Sequence, residues 1–173
     1  MGATEQECLQ QLGFIDANGN ITEDGFHILK ALLNKLPPVH KGKWGEVFVP
    51  LMEKLVPACV ELVIIKDHKM LLTYRDDKYF KGWHFPGSYI GPKETLNQTA
   101  QRCAKEELGV EIEFSKCIGT LNKIDGPRFH DFSNLMLCFI TNGTPKTGQW
   151  FEHCPDDVLG EYKKICPLIE SVL

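Results

Sequence analysis

A chain of 173 residues, 43% hydrophobic and 24% charged, has enough length and apolar content to bury a core without staples. The formal charge of −4 divides evenly at Ala58: 5 Lys/Arg against 7 Asp/Glu before it and 14 against 16 after it, so each part is −2. Neither part has the basic excess with which a nucleic-acid binder neutralises phosphates, so no nucleic acid is expected as partner; a small phosphate ligand needs only a local patch.

Residues 5 to 13 read as a short helix, and Phe14 to Ile21 as a turn built on Asn18-Gly19, a pair suited to positive φ. Asp16 to Asn20 resembles the start of a calcium loop. Ile21 at the glycine position and His27 at the glutamate position break that pattern. Thr22 caps a second helix whose apolar residues Phe26, Leu29, Leu32, Leu33 and Leu36 recur at helical spacing, and Pro37-Pro38 stops it. Residues 43 to 56 form a third, with Lys41-Gly42-Lys43 read as a solvated linker. From Ala58 the period changes. Cys59 to Ile65 and Met70 to Arg75 are strands joined by a hairpin at Asp67-His68. A helix over 95 to 108 ends at Gly109, and strands follow at Val110 to Ile118, Gly119 to Ile124 and Asn134 to Thr141. Trp150-Phe151 is a last short strand, and a C-terminal helix runs from Pro155 or Asp156 to about Val172. This order predicts an α/β fold, a mixed sheet sandwiched between helices, over residues 58–173, with residues 1–57 a helical N-terminal extension.

Seven scattered cysteines, odd in number and never spaced C-x-x-C, argue against a disulfide framework and against zinc, and fit a reducing compartment. The first residues have no basic or apolar leader pattern, and no apolar run reaches about 18 residues, so no membrane partner is expected and a cytoplasmic location is the default.

The chemistry concentrates in Gly87 to Val110, GSYIGPKETLNQTAQRCAKEELGV. At about 100° per residue, Leu96, Ala100, Cys103, Ala104 and Leu108 form the apolar stripe of its helix, and Glu107 falls about 20° from Ala100, with Glu106 at the rim. A carboxylate on a core-facing stripe needs pairing, protonation or a cation, and both acids sit in the last turn, where the macrodipole disfavours them. Adjacent hard oxygens suit Mg²⁺ or Mn²⁺. The wheel leaves open a second outcome, in which Glu107 frays into water or pairs with an Arg or Lys.

The segment resembles the Nudix box, G-x5-E-x7-R-E-U-x-E-E-x-G-U, with U a bulky aliphatic residue. Ser88 stands at the first glycine, Glu94 at the first glutamate and Arg102 at the arginine. Glu106, Glu107, Gly109 and Val110 match the rest. The resemblance implies a Mg²⁺- or Mn²⁺-dependent hydrolase acting on a small substrate, a nucleoside diphosphate linked to another moiety such as a sugar. It implies Glu106 and Glu107 as catalytic metal ligands, Glu94 and Arg102 as a structural ion pair, and a Pro86-Gly87 turn that brings backbone groups near the ligand. Arg75, Gly87, Ser88 and Arg128 are the expected substrate-binding residues.

The pattern fails most seriously at Cys103, where the box has a glutamate; a thiol is a poor ligand for Mg²⁺ and reads here as a small core residue. One branch, resembling enzymes that release a sugar from GDP-mannose, also lacks this glutamate and takes its base from a loop; His130, beside Asp131, is the candidate here, against a plain exposed-loop reading. The alternative is a catalytically degenerate Nudix domain, a module that binds a nucleotide or a protein. For residues 1–57 the expected uses are docking on the second part or a homodimer contact.

Overall fold

A computed structural model describes residues 3–36 and 45–173, with side chains from Phe48 onward in the second stretch. The proline stop at 37–38 and the linker at 41–43 lie outside the described residues. The chain divides into two compact units, Met1–Gly42 and Lys43–Leu173.

The first unit is built on local capping. Helix α1 (Glu5–Gln11) starts at Thr4, whose hydroxyl accepts from the Glu7 N–H at 3.2 Å while the Glu7 carboxylate accepts from the Thr4 N–H at 2.7 Å. In the turn that follows, Asp16 Oδ1 accepts from the N–H groups of Asn18 and Asn20 at 2.8 and 2.9 Å. That is an Asx-type turn, which needs no calcium ion to hold it. Helix α2 (Glu23–Leu33) is capped by Thr22, which accepts from the Gly25 N–H at 3.1 Å.

The second unit includes α3 (Gly45–Met52) ahead of the strands that begin at Ala58. Aromatic packing ties this helix to the unit: the Phe48 ring lies 5.7 Å from Tyr89 and 5.8 Å from Phe129. The sheet comprises β1 (Ala58–Lys66), β2 (Lys69–Asp76), β3 (Lys81–His84), β4 (Gly87–Tyr89), β5 (Glu111–Lys123), β6 (Asp131–Asn142) and β7 (Gln149–Phe151). Its main order is β3-β2-β1-β6-β5, with β4 on β1 and β7 on β2. Among the described strands only β1 and β6 pair in parallel, which makes the sheet mixed. Asp67 and His68, both at positive φ, turn β1 into β2.

Helix α4 (Leu96–Cys103) is followed by one π-helical turn, Ala104–Leu108, and α5 (Gly160–Lys163) and α6 (Cys166–Glu170) close the chain. One core joins Val60, Leu62 and Ile64 of β1 to Ala100, Cys103, Ala104 and Leu108. The second joins Val63, Leu121, Leu135 and Leu137 to Tyr162, Ile165 and Ile169. Helices thus cover both faces, as alternation along β1 requires.

Four expectations need correction. The strands read at 110–118 and 119–124 are one strand, β5, whose register against β6 shifts between Phe114 and Lys116 and again between Cys117 and Gly119; those irregularities disguise its continuity. Strands β3 and β4 are too short for a period-2 pattern to declare them. The single C-terminal helix is two short ones, because Pro167 has no N–H to continue a helix and is tolerated in the first turn of α6. Among the cysteines, Cys154 and Cys166 form a disulfide.

Candidate active site

A cleft of about 1190 Å³ takes its lining from β1 to β4, the π-helical turn and the connection between β5 and β6. One wall is organised by Arg102. Its guanidinium meets both oxygens of Glu94 at 2.8 Å and donates to Ser88 Oγ at 3.1 Å and the Tyr89 carbonyl at 3.0 Å. Glu94 also accepts from the Gly91 N–H and the Thr99 hydroxyl at 3.0 Å. This bidentate pair, chiefly through the Arg102 hydrogen bonds, holds the Glu94 carboxyl down at about 2. Ser88 at a glycine position therefore supplies an acceptor for Arg102.

The expected acidic pair is split. Glu106 is 63% exposed, reaches Arg102 Nη1 at 3.3 Å and does not line the cleft. Glu107 lines it and is open to it. The π-helical turn is the cause: its extra residue takes Glu107 off the buried stripe while Ala104 and Leu108 remain in the core. Protein packed around the carboxyl raises the Glu107 pKa to about 7. Nearby Glu61 adds to the rise, and the Gly87 N–H and Arg75 oppose it. Cys103, 1% exposed, lies among Ala100, Ala104 and Leu108, and burial pushes its thiol far up.

Glu61 and Lys123, which the sequence reading passed over, and Asp131, which it named only beside His130, complete this end. Glu61 interrupts the apolar run of β1 and is 4% exposed; Asp131 at the start of β6 is 8% exposed. The Lys123 ammonium sits 2.9 Å from each of them, and Ser133 Oγ donates to Glu61 at 3.0 Å. Burial raises Glu61 above the ordinary carboxylate value, with Lys123 the main counterweight. Burial works against the Lys123 charge too, but Glu61, Tyr162 and Asp131 outweigh it and push its pKa up. Gly87 leaves room for the Glu61 carboxylate: a Cβ there would lie 2.4 Å from Glu61 Oε2 and 2.9 Å from the Val60 carbonyl.

Another part of the lining is cationic and aromatic. Arg75 lies over the Phe80 ring at 4.7 Å and bonds Asp77 at 2.6 Å. Arg128 lies over Phe129 at 4.9 Å and Phe80 at 5.5 Å and donates to the Tyr89 hydroxyl at 2.5 Å. Its Nε is buried without a partner among the described residues. His84 also lines the cleft, but burial lowers its pKa to about 4, and its ring is engaged by Phe85 O at 2.7 Å and Thr73 Oγ1 at 3.2 Å. His130 is not brought to the cleft; its Nε2 meets Asn122 Oδ1 at 2.6 Å, and Asp131 is the residue that turns inward. Alternation explains it: Asp131, Ser133 and Leu135 share the inner face.

With this geometry in place, comparison with known proteins is decisive. The NUDIX domain matches residues 56–170. The chain belongs to the NUDIX family. It is 32% identical over 91 residues to an ADP-ribose pyrophosphatase of Methanocaldococcus jannaschii, covering 51% of this chain and 54% of that one. Over 77 residues it is 34% identical to the low-salt glycan biosynthesis protein Agl8 of Haloferax volcanii, covering 44% and 46%. Each match spans about half the length of the relative. Among solved structures, a MutT NUDIX hydrolase from Burkholderia pseudomallei has a TM-score of 0.58 at 19% identity, covering 68% of this chain and 97% of that one. An ADP-ribose pyrophosphatase from Streptococcus suis gives 0.56 at 20%, covering 68% and 92%. These likenesses establish the fold.

NUDIX proteins imply a divalent cation, and the donors here fit one in a restricted way. Among the described residues no group of three or more His, Cys, Asp or Glu is set as a metal centre. Cys103 is in the core, Glu106 is on Arg102, and Glu61 and Asp131 are on Lys123. Glu107 is the open carboxylate, and Mg²⁺ commonly takes one or two carboxylates and completes its shell with water and substrate phosphates. No described helix is long and apolar enough to cross a membrane.

Proposed function

We propose that this NUDIX domain is a hydrolase of a nucleoside diphosphate linked to another moiety, a nucleotide sugar or a relative of ADP-ribose. The observation that carries the reading is a cleft whose lining holds the open Glu107 carboxylate together with the Arg75 and Arg128 guanidiniums. Water forms a bond to one phosphorus, the bridging P–O bond breaks, the leaving phosphate keeps the electron pair, and the water proton is released. Arg75 and Arg128 grip phosphate oxygens and draw off developing charge. The Gly87 N–H favours the charged form of Glu107, the form that would face a cation and diphosphate. A Mg²⁺ or Mn²⁺ ion, held by Glu107 with the substrate phosphates, would neutralise diphosphate charge and activate the water. Glu94 and Arg102 hold the loop to the helix and touch no substrate. The names of the matched relatives, ADP-ribose pyrophosphatase among them, support the substrate class.

The test is a panel of nucleotide sugars, dinucleotides and nucleoside triphosphates with Mg²⁺ and Mn²⁺, products identified. Turnover by wild type that falls by about 10²–10³ in Glu107→Gln, with the fold intact, is the expected result. Full activity in that variant overturns the reading. A second reading, a nucleotide- or protein-binding module without turnover, is favoured by Cys103 in the core and Glu106 turned away from the cleft. Thermal stabilisation by nucleotides with no product would select it.

A further inference from the structure

Two carboxylates, Glu61 and Asp131, meet at one point of a cleft whose lining also includes Glu107. Hard divalent cations are bound by such oxygen sets. Here both Glu61 and Asp131 are already engaged. The Lys123 ammonium lies 2.9 Å from Glu61 Oε1 and 2.9 Å from Asp131 Oδ1, with its side chain only 13% exposed. The Tyr162 ring lies beside it at 5.4 Å, and the Ser133 hydroxyl occupies another lone pair of Glu61 Oε1 at 3.0 Å. A charge this enclosed is costly, and its partners are placed to compensate it.

We infer that Lys123 is the site's tethered cation: its ammonium takes the place of a divalent ion between Glu61 and Asp131 and limits the protein's own metal capacity to the Glu107 side. The inference rests on the reading of Glu107 as the cation-facing carboxylate but not on hydrolysis. Lys123 is a positioning residue, acting through Glu61 and Asp131. Oxygens now spaced for an ammonium at 2.9 Å need to close by less than about 1 Å to reach the roughly 2.0–2.6 Å of Mg²⁺ or Ca²⁺ coordination. Removal of the ammonium would leave the two buried carboxylates without their counter-ion and create a divalent site there. The tethered charge is also single rather than double, so the diphosphate's remaining charge falls to Arg75, Arg128 and an ion that arrives with the substrate.

The test counts bound Mn²⁺ per chain by the loss of the free-ion electron paramagnetic resonance signal. Wild type, Lys123→Met and Lys123→Met/Asp131→Asn are titrated without nucleotide. The expected result is one more Mn²⁺ per chain in Lys123→Met than in wild type, and loss of the extra ion in the double variant. Thermal melts with and without Mn²⁺ accompany the count, because the single variant is expected to depend on the ion for its fold. An unchanged count, or no greater stabilisation by Mn²⁺ than in wild type, overturns the inference and leaves Lys123 as an ordinary buried ion pair. A chain that hydrolyses nothing still yields this count, so its failure and that of the hydrolase reading are told apart.

Discussion

Two ion networks flank the same cleft and are wired differently. Around Arg102 the geometry is closed: Glu94 is held at both oxygens, and Gly91, Thr99, Ser88 and the Tyr89 carbonyl engage the remaining groups. Around Lys123 one ammonium serves Glu61 and Asp131, and Glu107 lines the same cleft. The closed network fixes a loop; the open one has charge left over for a ligand. The difference teaches that the same residue types build scaffold or site according to whether their charges balance.

The sharpest way to break the contrast is Arg102→Met. It strands a part-buried carboxylate and should cost about 2–4 kcal/mol in urea unfolding, while Met at a mere surface pair would cost well under about 1 kcal/mol. Acid titration separates the networks by sign. Glu94, held at about 2 against an ordinary 4.5, contributes stability that is complete above the unfolded value and lost as pH falls toward 2. Glu94→Gln should remove about 2 kcal/mol of that acid-sensitive stability. Glu107, raised to about 7, has the opposite sign: its contribution is present below 4.5 and lost as pH rises through 7. A neutral-pH loss in metal-free melts that Glu107→Gln abolishes would check it.

How far the sequence reveals these networks follows from spacing. Glu94 and Arg102 lie within one loop and helix, at a separation of 8 residues, so a local pattern suggests their pairing. The separation from Glu61 to Lys123 is 62 residues and from Glu61 to Ser133 is 72, and only the strand pairing brings them together. One local signal was available, a lone acid inside the apolar run Cys59 to Ile65, which is costly without a partner. The mixed α/β architecture is legible from hydrophobic periods. The π-helical turn is not, because a wheel drawn at a constant angle has no place for an extra residue. His130 and Asp131 are neighbours in sequence, and only the phase of β6 decides which enters the cleft.

Smaller changes refine the comparison. Gly87→Ala places a methyl 2.4 Å from Glu61 Oε2, so it should cost about 1–3 kcal/mol and lower activity more than stability, read as kcat beside a melt. His130→Ala should change turnover by no more than about twofold, since the ring stands away from the cleft.

The Cys154–Cys166 bond encloses α5, and α5 carries Tyr162 of the second core. A protease that nicks the backbone within residues 155–165 would therefore release no fragment: the severed tail, α6 included, remains bonded to the body until a reductant frees it.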